Sequence, residues 1–241
     1  MNHVVTKQAL AASVFVVASL FMSNAAFAVA STTYSFVGVT NTSSANTALG
    51  VGSLSVEVIE LLEKSAQGNA QVAFKFTNAS SSSLTDVYFD DGTLLGIASI
   101  TDFGTVAFTQ LANPANLPGS QNLTPGFQTT AGFSLDSNAQ GGGVPANGVS
   151  FGESLTVTFE LQSGQEYQSV IQALALPNTT DGTGNLRIGL HVQSFPSSGG
   201  SESFVNSPDG FATPVPEAQT VAMMLAGLGL VGFMTARHRK A

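Results

Sequence analysis

The stretch SLTVTFEL, residues 154–161, alternates small polar residues with bulky apolar ones. Leu155, Val157, Phe159 and Leu161 occupy every second position, so an extended backbone places all four on one face. A helical backbone would instead distribute them around its circumference. The pattern therefore predicts a strand that buries one face in a core and turns the other towards water.

The same alternation recurs elsewhere in the chain. QVAFKF at 71–76 and LRIGLHVQ at 186–193 repeat it, and further strands are predicted at 32–39, 53–62, 84–89, 94–99, 104–109 and 131–135. Turn-rich clusters separate them: SSANTALGVG at 43–52, NPANLPGSQNLTPG at 113–126 and DSNAQGGGVPANG at 136–148. Many short strands joined by turns predict an all-β protein, an antiparallel β-sandwich of Ig-like or jelly-roll-like type.

One segment departs from this alternation. In 165–174, Tyr167, Val170, Ile171 and Leu174 recur at helical spacing, which predicts one short helix. Residues 196–215 are rich in Ser, Gly and Pro and predict a linker. The sandwich is therefore expected to span 29–195.

Charge and cysteine content limit the function. Between residues 29 and 213 the chain has three basic and fourteen acidic residues, a net charge of −11. Such a surface repels phosphate backbones, so nucleic-acid binding is excluded. The chain has no cysteine, so disulfides and thiolate chemistry are absent. Stability must come from packing or from bound ions.

The N-terminal segment has the order of a secretory signal. Lys7 precedes an apolar run at 9–22, and Ala26 and Ala28 then flank Phe27 as small residues around a cleavage site. This order predicts a signal peptide over 1–28, exported by the Sec machinery and cut after Ala28 by signal peptidase.

The C-terminal segment predicts a membrane span. Residues 221–236 have no charge, and Arg237, Arg239 and Lys240 follow immediately. A helix over 218–236 is about 28 Å long, close to the thickness of a hydrocarbon core. By the positive-inside rule the basic tail at 237–241 stays cytoplasmic, and the body of the chain lies across the membrane.

The order of features at 216–241 resembles the PEP-CTERM sorting signal of Gram-negative bacteria. Pro216 and Glu217 match the first two motif positions, Ala218 replaces the second proline, and LAGLGL at 225–230 lies in a Gly-rich apolar segment before the Arg-rich end. The resemblance implies that an exosortase, a membrane-embedded cysteine protease, cuts near 216–218. The precursor is then anchored in the inner membrane with its body in the periplasm, and the product reaches the cell surface or matrix. The family's association with exopolysaccharide and biofilms implies a matrix role and a polysaccharide partner.

The stretch YFDDGTLLG, residues 88–96, is the most concentrated acidic feature. Asp91 and Gly92 between two apolar runs predict a hairpin turn. Calcium is the alternative, because Asp86, Asp90 and Asp91, helped by Asp102, offer hard oxygen ligands. No EF-hand spacing supports it, and no other cofactor is expected.

Catalytic signatures are absent. His191 is the one histidine between the two processed segments and is predicted on the outer face of its strand; neither G-x-S-x-G nor H-E-x-x-H occurs. A glycosidase needs only two carboxylates, and Tyr88 and Tyr167 could stack on sugar rings. We therefore expect a non-enzymatic structural protein of the surface or matrix. The alternatives are a calcium-dependent carbohydrate-binding module and a secreted polysaccharide hydrolase.

Overall fold

Ten antiparallel strands form one continuous sheet in the computed structural model, which describes residues 29–137, 145–177, 185–196 and 199–212. The strands are β1 Ser31–Gly38, β2 Leu54–Leu61, β3 Gln71–Asn78, β4 Ser83–Asp90, β5 Leu94–Phe103, β6 Thr109–Gln110, β7 Ser134–Asp136, β8 Ser154–Leu161, β9 Arg187–Gln193 and β10 Ser201–Ala212. Their order across the sheet is β5-β8-β3-β2-β1-β10-β9-β4-β7-β6. Among the described residues there are also two α-helices, α1 Ser44–Ser53 and α2 Tyr167–Leu174. The short 3-10 helices are Ser120–Asn122 and Pro145–Asn147.

The sheet coils so that its two ends face each other across the core. Phe74 of β3 and Phe159 of β8 lie near one end of the strand order, and Phe89 of β4 lies near the other. The Phe89 ring packs edge-to-face against both, with centroid distances of 5.3 Å to Phe74 and 4.7 Å to Phe159. The result is an all-β, antiparallel and nearly barrel-like body, which confirms the predicted class. The finer Ig-like or jelly-roll assignment stays a prediction.

Most of the predicted alternating segments are strands, although of the one predicted at 131–135 only Ser134 and Leu135 lie in β7. Those at 32–39, 53–62, 71–76, 84–89, 94–99, 154–161 and 186–193 all fall on the sheet. The helix predicted at 165–174 is α2, which begins in a capping box between Glu166 and Ser169. Of the strand predicted at 104–109, only Thr109 lies in β6.

The linker predicted at 196–215 is wrong for most of its length. Residues 201–212 form β10, which lies near the middle of the sheet and pairs with β1 and β9. The sequence of β10 does not show an apolar alternation, because two of its buried positions are polar. Glu202 and Asn206 lie on the same strand face as the buried Phe204, since every second residue of a strand faces the same way. Each has backbone partners: Ser43 N–H donates to Glu202 Oε1 at 2.6 Å, and Ile188 N–H donates to Asn206 Oδ1 at 2.7 Å.

The cluster at 43–52 is a helix rather than the predicted turn. Ser43 caps α1, because its hydroxyl accepts a hydrogen bond from the N–H of Asn46 at 3.4 Å. Gly50 supplies clearance: a Cβ there would lie 2.1 Å from the ring of Phe204. The glycine that suggested a turn therefore allows the helix to lie against the sheet.

The hairpin predicted at Asp91-Gly92 is also wrong. β4 pairs with β7 and β9, whereas β5 pairs with β8 at the far edge of the sheet. Asp91 Oδ1 does organise a turn, accepting from the N–H groups of Thr93 at 2.8 Å and Leu94 at 2.6 Å. The turn connects β4, near one end of the strand order, to β5 at the other end. Its sequence is typical of a hairpin, but the two strands that it joins are not neighbours in the sheet.

No helix among the described residues is long and apolar enough to cross a membrane. The segments predicted as signal peptide, 1–28, and as sorting tail, 216–241, lie outside the described residues.

Candidate functional site

A row of polar side chains crosses the outer face of β7, β4, β9 and β10. Asp136 pairs with Asp86, Asp86 with His191, and His191 with Ser203. His191 Nδ1 lies 2.8 Å from Oδ2 of Asp86, whose side chain is buried. The outward direction predicted for His191 fits this geometry, but the residue is half-buried and bonded rather than freely solvated.

The row does not form a nucleophilic triad. Ser203 Oγ is buried and has no hydrogen-bond partner within the described part of the chain, so His191 does not hold it as a base would. Asp86 Oδ2 also accepts from Thr85 Oγ1 at 2.8 Å, and Asp136 Oδ2 accepts from the N–H of Asn113 at 3.3 Å. These contacts tie the row to neighbouring backbone and strands.

Residues 111–130, which we call the cap, cover this face beside the polar row. Leu117 and Phe127 of the cap form a second apolar cluster with Tyr88 and Val205. Tyr88 Oη donates to the carbonyl of Pro114 at 3.1 Å. Burial, followed by the charges of Asp86 and Asp136, raises the pKa of Tyr88 well above its usual value.

An ion pair clamps the cap from beneath. Arg187 is 2% exposed and pairs with Asp90, its Nε donating to Oδ2 at 3.0 Å. Its Nη1 donates to Pro125 O and its Nη2 to Gly126 O, both at 2.9 Å. The guanidinium also lies 5.3 Å from the ring centre of Phe127. Most of the guanidinium hydrogen-bonding capacity is thus directed at one acid and one turn of the cap.

The three acids proposed for calcium have separate partners. Asp86 bonds His191, Asp90 bonds Arg187, and Asp91 bonds its own turn. Asp86 and Asp90 share a strand face at four residues' separation, about 13 Å. Within the described residues, no three His, Cys, Asp or Glu side chains are grouped to hold a metal. Calcium binding at these acids stays a prediction.

Asp91 and Asp102 both accept hydrogen bonds from backbone N–H groups. Asp102 accepts from the N–H of Phe108 at 3.3 Å. Burial raises the pKa of Asp91, against the hydrogen bonds from Leu94 and Thr93 that lower it. Neither residue joins the polar row on β4.

Two cavities open at the surface, away from the polar row. One of about 620 Å³ lies over β2, β3 and β8, and one of about 290 Å³ is lined by residues of 60–71 and 163–167. The tyrosines suggested for sugar stacking are buried: Tyr88 lies under the cap, and Tyr167 Oη bonds Thr32 Oγ1 at 2.7 Å. The exposed rings are instead Phe103 and Phe151, which the sequence reasoning missed. Each precedes a glycine in a turn, a pattern that could have marked them.

The comparison with known families places the strongest functional signal after the sheet. Residues 214–240 match the model of the PEP-CTERM protein-sorting motif. The match includes Pro216, Glu217 and Ala218 and the basic residues Arg237, Arg239 and Lys240. These residues, with Ala26 and Ala28, lie outside the described ranges. No curated protein and no solved structure matches the chain. The chain thus carries a PEP-CTERM sorting motif, which implies an exported, membrane-anchored precursor that is processed by an exosortase, a membrane protease.

Proposed function

We propose that this chain is a non-enzymatic structural protein of the cell surface or the exopolysaccharide-rich biofilm matrix of a Gram-negative bacterium. The sorting motif at 214–240 carries the proposal. Sec and signal peptidase act first and remove residues 1–28. The periplasmic body is then released from its inner-membrane anchor by cleavage near Pro216 and Glu217.

The position of the motif supports release of an intact body. β10 ends at Ala212, whose backbone pairs with Thr32 of β1, and the motif begins at residue 214. A cut near Pro216 leaves the whole of β10 in the body. Since β10 lies between β1 and β9, its retention preserves the continuous sheet after processing.

The chemistry of the body is compatible with a structural role. The row from Asp136 to Ser203 lacks a histidine-bonded serine, and the ion pair of Asp90 with Arg187 holds the cap. The body contains no cysteine and relies on an aromatic core, so it needs no oxidant to fold outside the cell. An Ig-like or jelly-roll relationship is the finer fold proposal.

A motif variant tests the sorting role. We expect Pro216→Ala combined with Glu217→Ala to accumulate as a membrane-bound precursor, because a proline disfavours helix in the residue before it and so favours an extended site for a protease. Immunoblots of membrane, periplasmic and surface fractions measure the distribution.

Ala218→Pro is the matched control, since it completes the Pro-Glu-Pro order and should be processed at least as well as the natural sequence. Each variant should keep the thermal midpoint of the body, because the altered residues follow Ala212, where β10 ends. Normal processing and display of the double alanine variant would contradict the proposal.

A further inference from the structure

The larger cavity is an open groove on the outer face of β2, β3 and β8. Its floor is a row of hydroxyls on adjacent strands: Ser55 pairs with Thr77, and Thr77 pairs with Ser154. Ser55 Oγ lies 2.8 Å from Thr77 Oγ1. Phe103 on β5 pairs with Ser154 and lies at the end of this row, so the surface crosses four strands, about 14 Å in all. We call this surface the hydroxyl groove.

Two exposed aromatic rings line the hydroxyl groove. Phe103 is 65% exposed and Phe151 is 74% exposed. Single exposed apolar residues are ordinary, but two large rings beside one concave surface form an interaction feature. Each ring stays mostly in water, so its burial contributes little to folding.

Glu153 fixes the turns that bear these rings. Its Oε1 accepts from the N–H of Thr105 at 2.9 Å and from Thr105 Oγ1 at 2.6 Å, and its Oε2 accepts from the N–H of Ser150 at 3.0 Å. One carboxylate therefore joins the turn after Phe103 to the turn before Phe151. Burial alone would raise the pKa of Glu153, but these hydrogen bonds lower it overall. Rings held in this way lose little conformational entropy when they bind a ligand.

The charges around the hydroxyl groove favour an uncharged ligand. Lys75 lines the floor and makes no ion pair in the described residues. Glu57 is its neighbour on β2, and Glu153 lies at the rim, so the local charge does not attract anions strongly. The net charge of −11 over residues 29–213 repels polyanions further.

We propose that the hydroxyl groove binds a strand of neutral polysaccharide. Sugar rings stack on Phe103 and Phe151, and their hydroxyls exchange hydrogen bonds with Ser55, Thr77 and the ammonium of Lys75. A hydroxyl-lined floor with aromatic sides matches a ligand whose rings have apolar faces and polar edges. The inference rests on the proposed surface or matrix role and assigns it a binding site.

Affinity electrophoresis tests the site. The full-length chain, solubilised in a detergent without a sugar headgroup, is run in gels containing a neutral glucan, mannan or xylan, or a polyuronate. We expect at least one neutral polymer to retard the chain and the polyuronate to retard it less. Phe103→Ala with Phe151→Ala should weaken binding on the order of tenfold per ring.

Two further variants separate this site from general effects. Leu111→Ala removes an apolar side chain that is 68% exposed and does not line the hydroxyl groove, so it should bind as the natural chain does. Glu153→Ala keeps both rings but removes the hydrogen bonds that hold their two turns. This variant should bind polysaccharide more weakly while the thermal midpoint of the body stays unchanged.

Three results would overturn the site. These are no retardation by any neutral polymer, equal retardation of the double alanine variant, or stronger retardation by the polyuronate. Size-exclusion chromatography provides a fourth: a dimer lost in the double alanine variant would assign the rings to a second copy of the chain. None of these results affects processing at Pro216, which is measured by cell fractionation, so failure of the site and failure of the proposed function remain distinguishable.

Discussion

Two regions of the outer face of this sheet differ in whether their charged and aromatic side chains are buried or exposed. Over β4, β9 and β10 the cap buries Tyr88 and Arg187 and satisfies them with backbone carbonyls. Over β2, β3 and β8 no described segment covers the hydroxyl groove, and Phe103 and Phe151 are mostly exposed. The difference shows that the cap adds a second buried apolar cluster to one region of the outer face, whereas the open region is available for contact with other molecules.

The largest expected effect lies in the clamp under the cap. Arg187→Met leaves Asp90 buried without its cation and removes the donors to Pro125 and Gly126. We expect the free energy of unfolding to fall by about 3–5 kcal/mol. Chemical denaturation of the exported protein measures it.

Lys75→Met on the open face is the matched control, because it removes the same charge from a residue that makes no ion pair with any described residue. It should change the unfolding free energy by less than about 0.5 kcal/mol. Equal losses in the two variants would show that the faces do not differ as the structure indicates.

The next largest effect on stability comes from the close approach of the cap to Gly189. A Cβ at Gly189 would lie 2.9 Å from Leu117 and 3.1 Å from Phe127, so Gly189→Ala should displace the cap. We expect a loss of about 1–3 kcal/mol in denaturation experiments. Gly96→Ala on β5 meets no atom within 4 Å and should be nearly neutral. A neutral Gly189→Ala would indicate that the cap yields without cost.

Alkaline pH should act on Tyr88. Its pKa is raised in the folded protein, so its contribution to stability is complete below the unfolded value near 10 and is lost as the pH rises above it. Burial, followed by the charge of Tyr167, raises the pKa of Tyr34 to about 12, so Tyr34 adds to the same loss of stability at alkaline pH. Tyr88→Phe should cost about 1 kcal/mol at neutral pH, because the bond to Pro114 is lost.

Between about pH 9 and about pH 11, the Tyr88→Phe variant should lose stability less steeply than the natural chain. Denaturation curves at the two pH values measure the slope. A slope unchanged by the substitution would contradict the assignment to Tyr88.

The sequence predicts correctly the strands whose buried positions are all apolar. β8 was predicted because every second residue from Leu155 to Leu161 is apolar. β10 was missed because its buried positions include Glu202 and Asn206, whose partners come from distant segments. Local pattern cannot report a hydrogen bond made to residue 43 or residue 188.

The candidate sites followed the same division. The sorting motif was predictable because its residues are contiguous, and the family model confirms it. The cap and the hydroxyl groove were not, because they depend on which strands become neighbours. The wrong hairpin at Asp91 shows the limit: a turn sequence fixes the local bend but does not decide which strands pair.

The smallest expected effect is the most informative about the open face. Phe103→Ala and Phe151→Ala remove rings that are 65% and 74% exposed, so little apolar burial is lost. We expect each to change the unfolding free energy by less than about 0.5 kcal/mol. Phe89→Ala, which removes a fully buried ring packed against Phe74 and Phe159, should cost about 3–5 kcal/mol by the same measurement. If the exposed rings proved as costly to remove as Phe89, they would be part of the core and the open face would be structural. Near-neutral values would show that the two rings beside Glu153 contribute little to folding, as the proposed binding role requires.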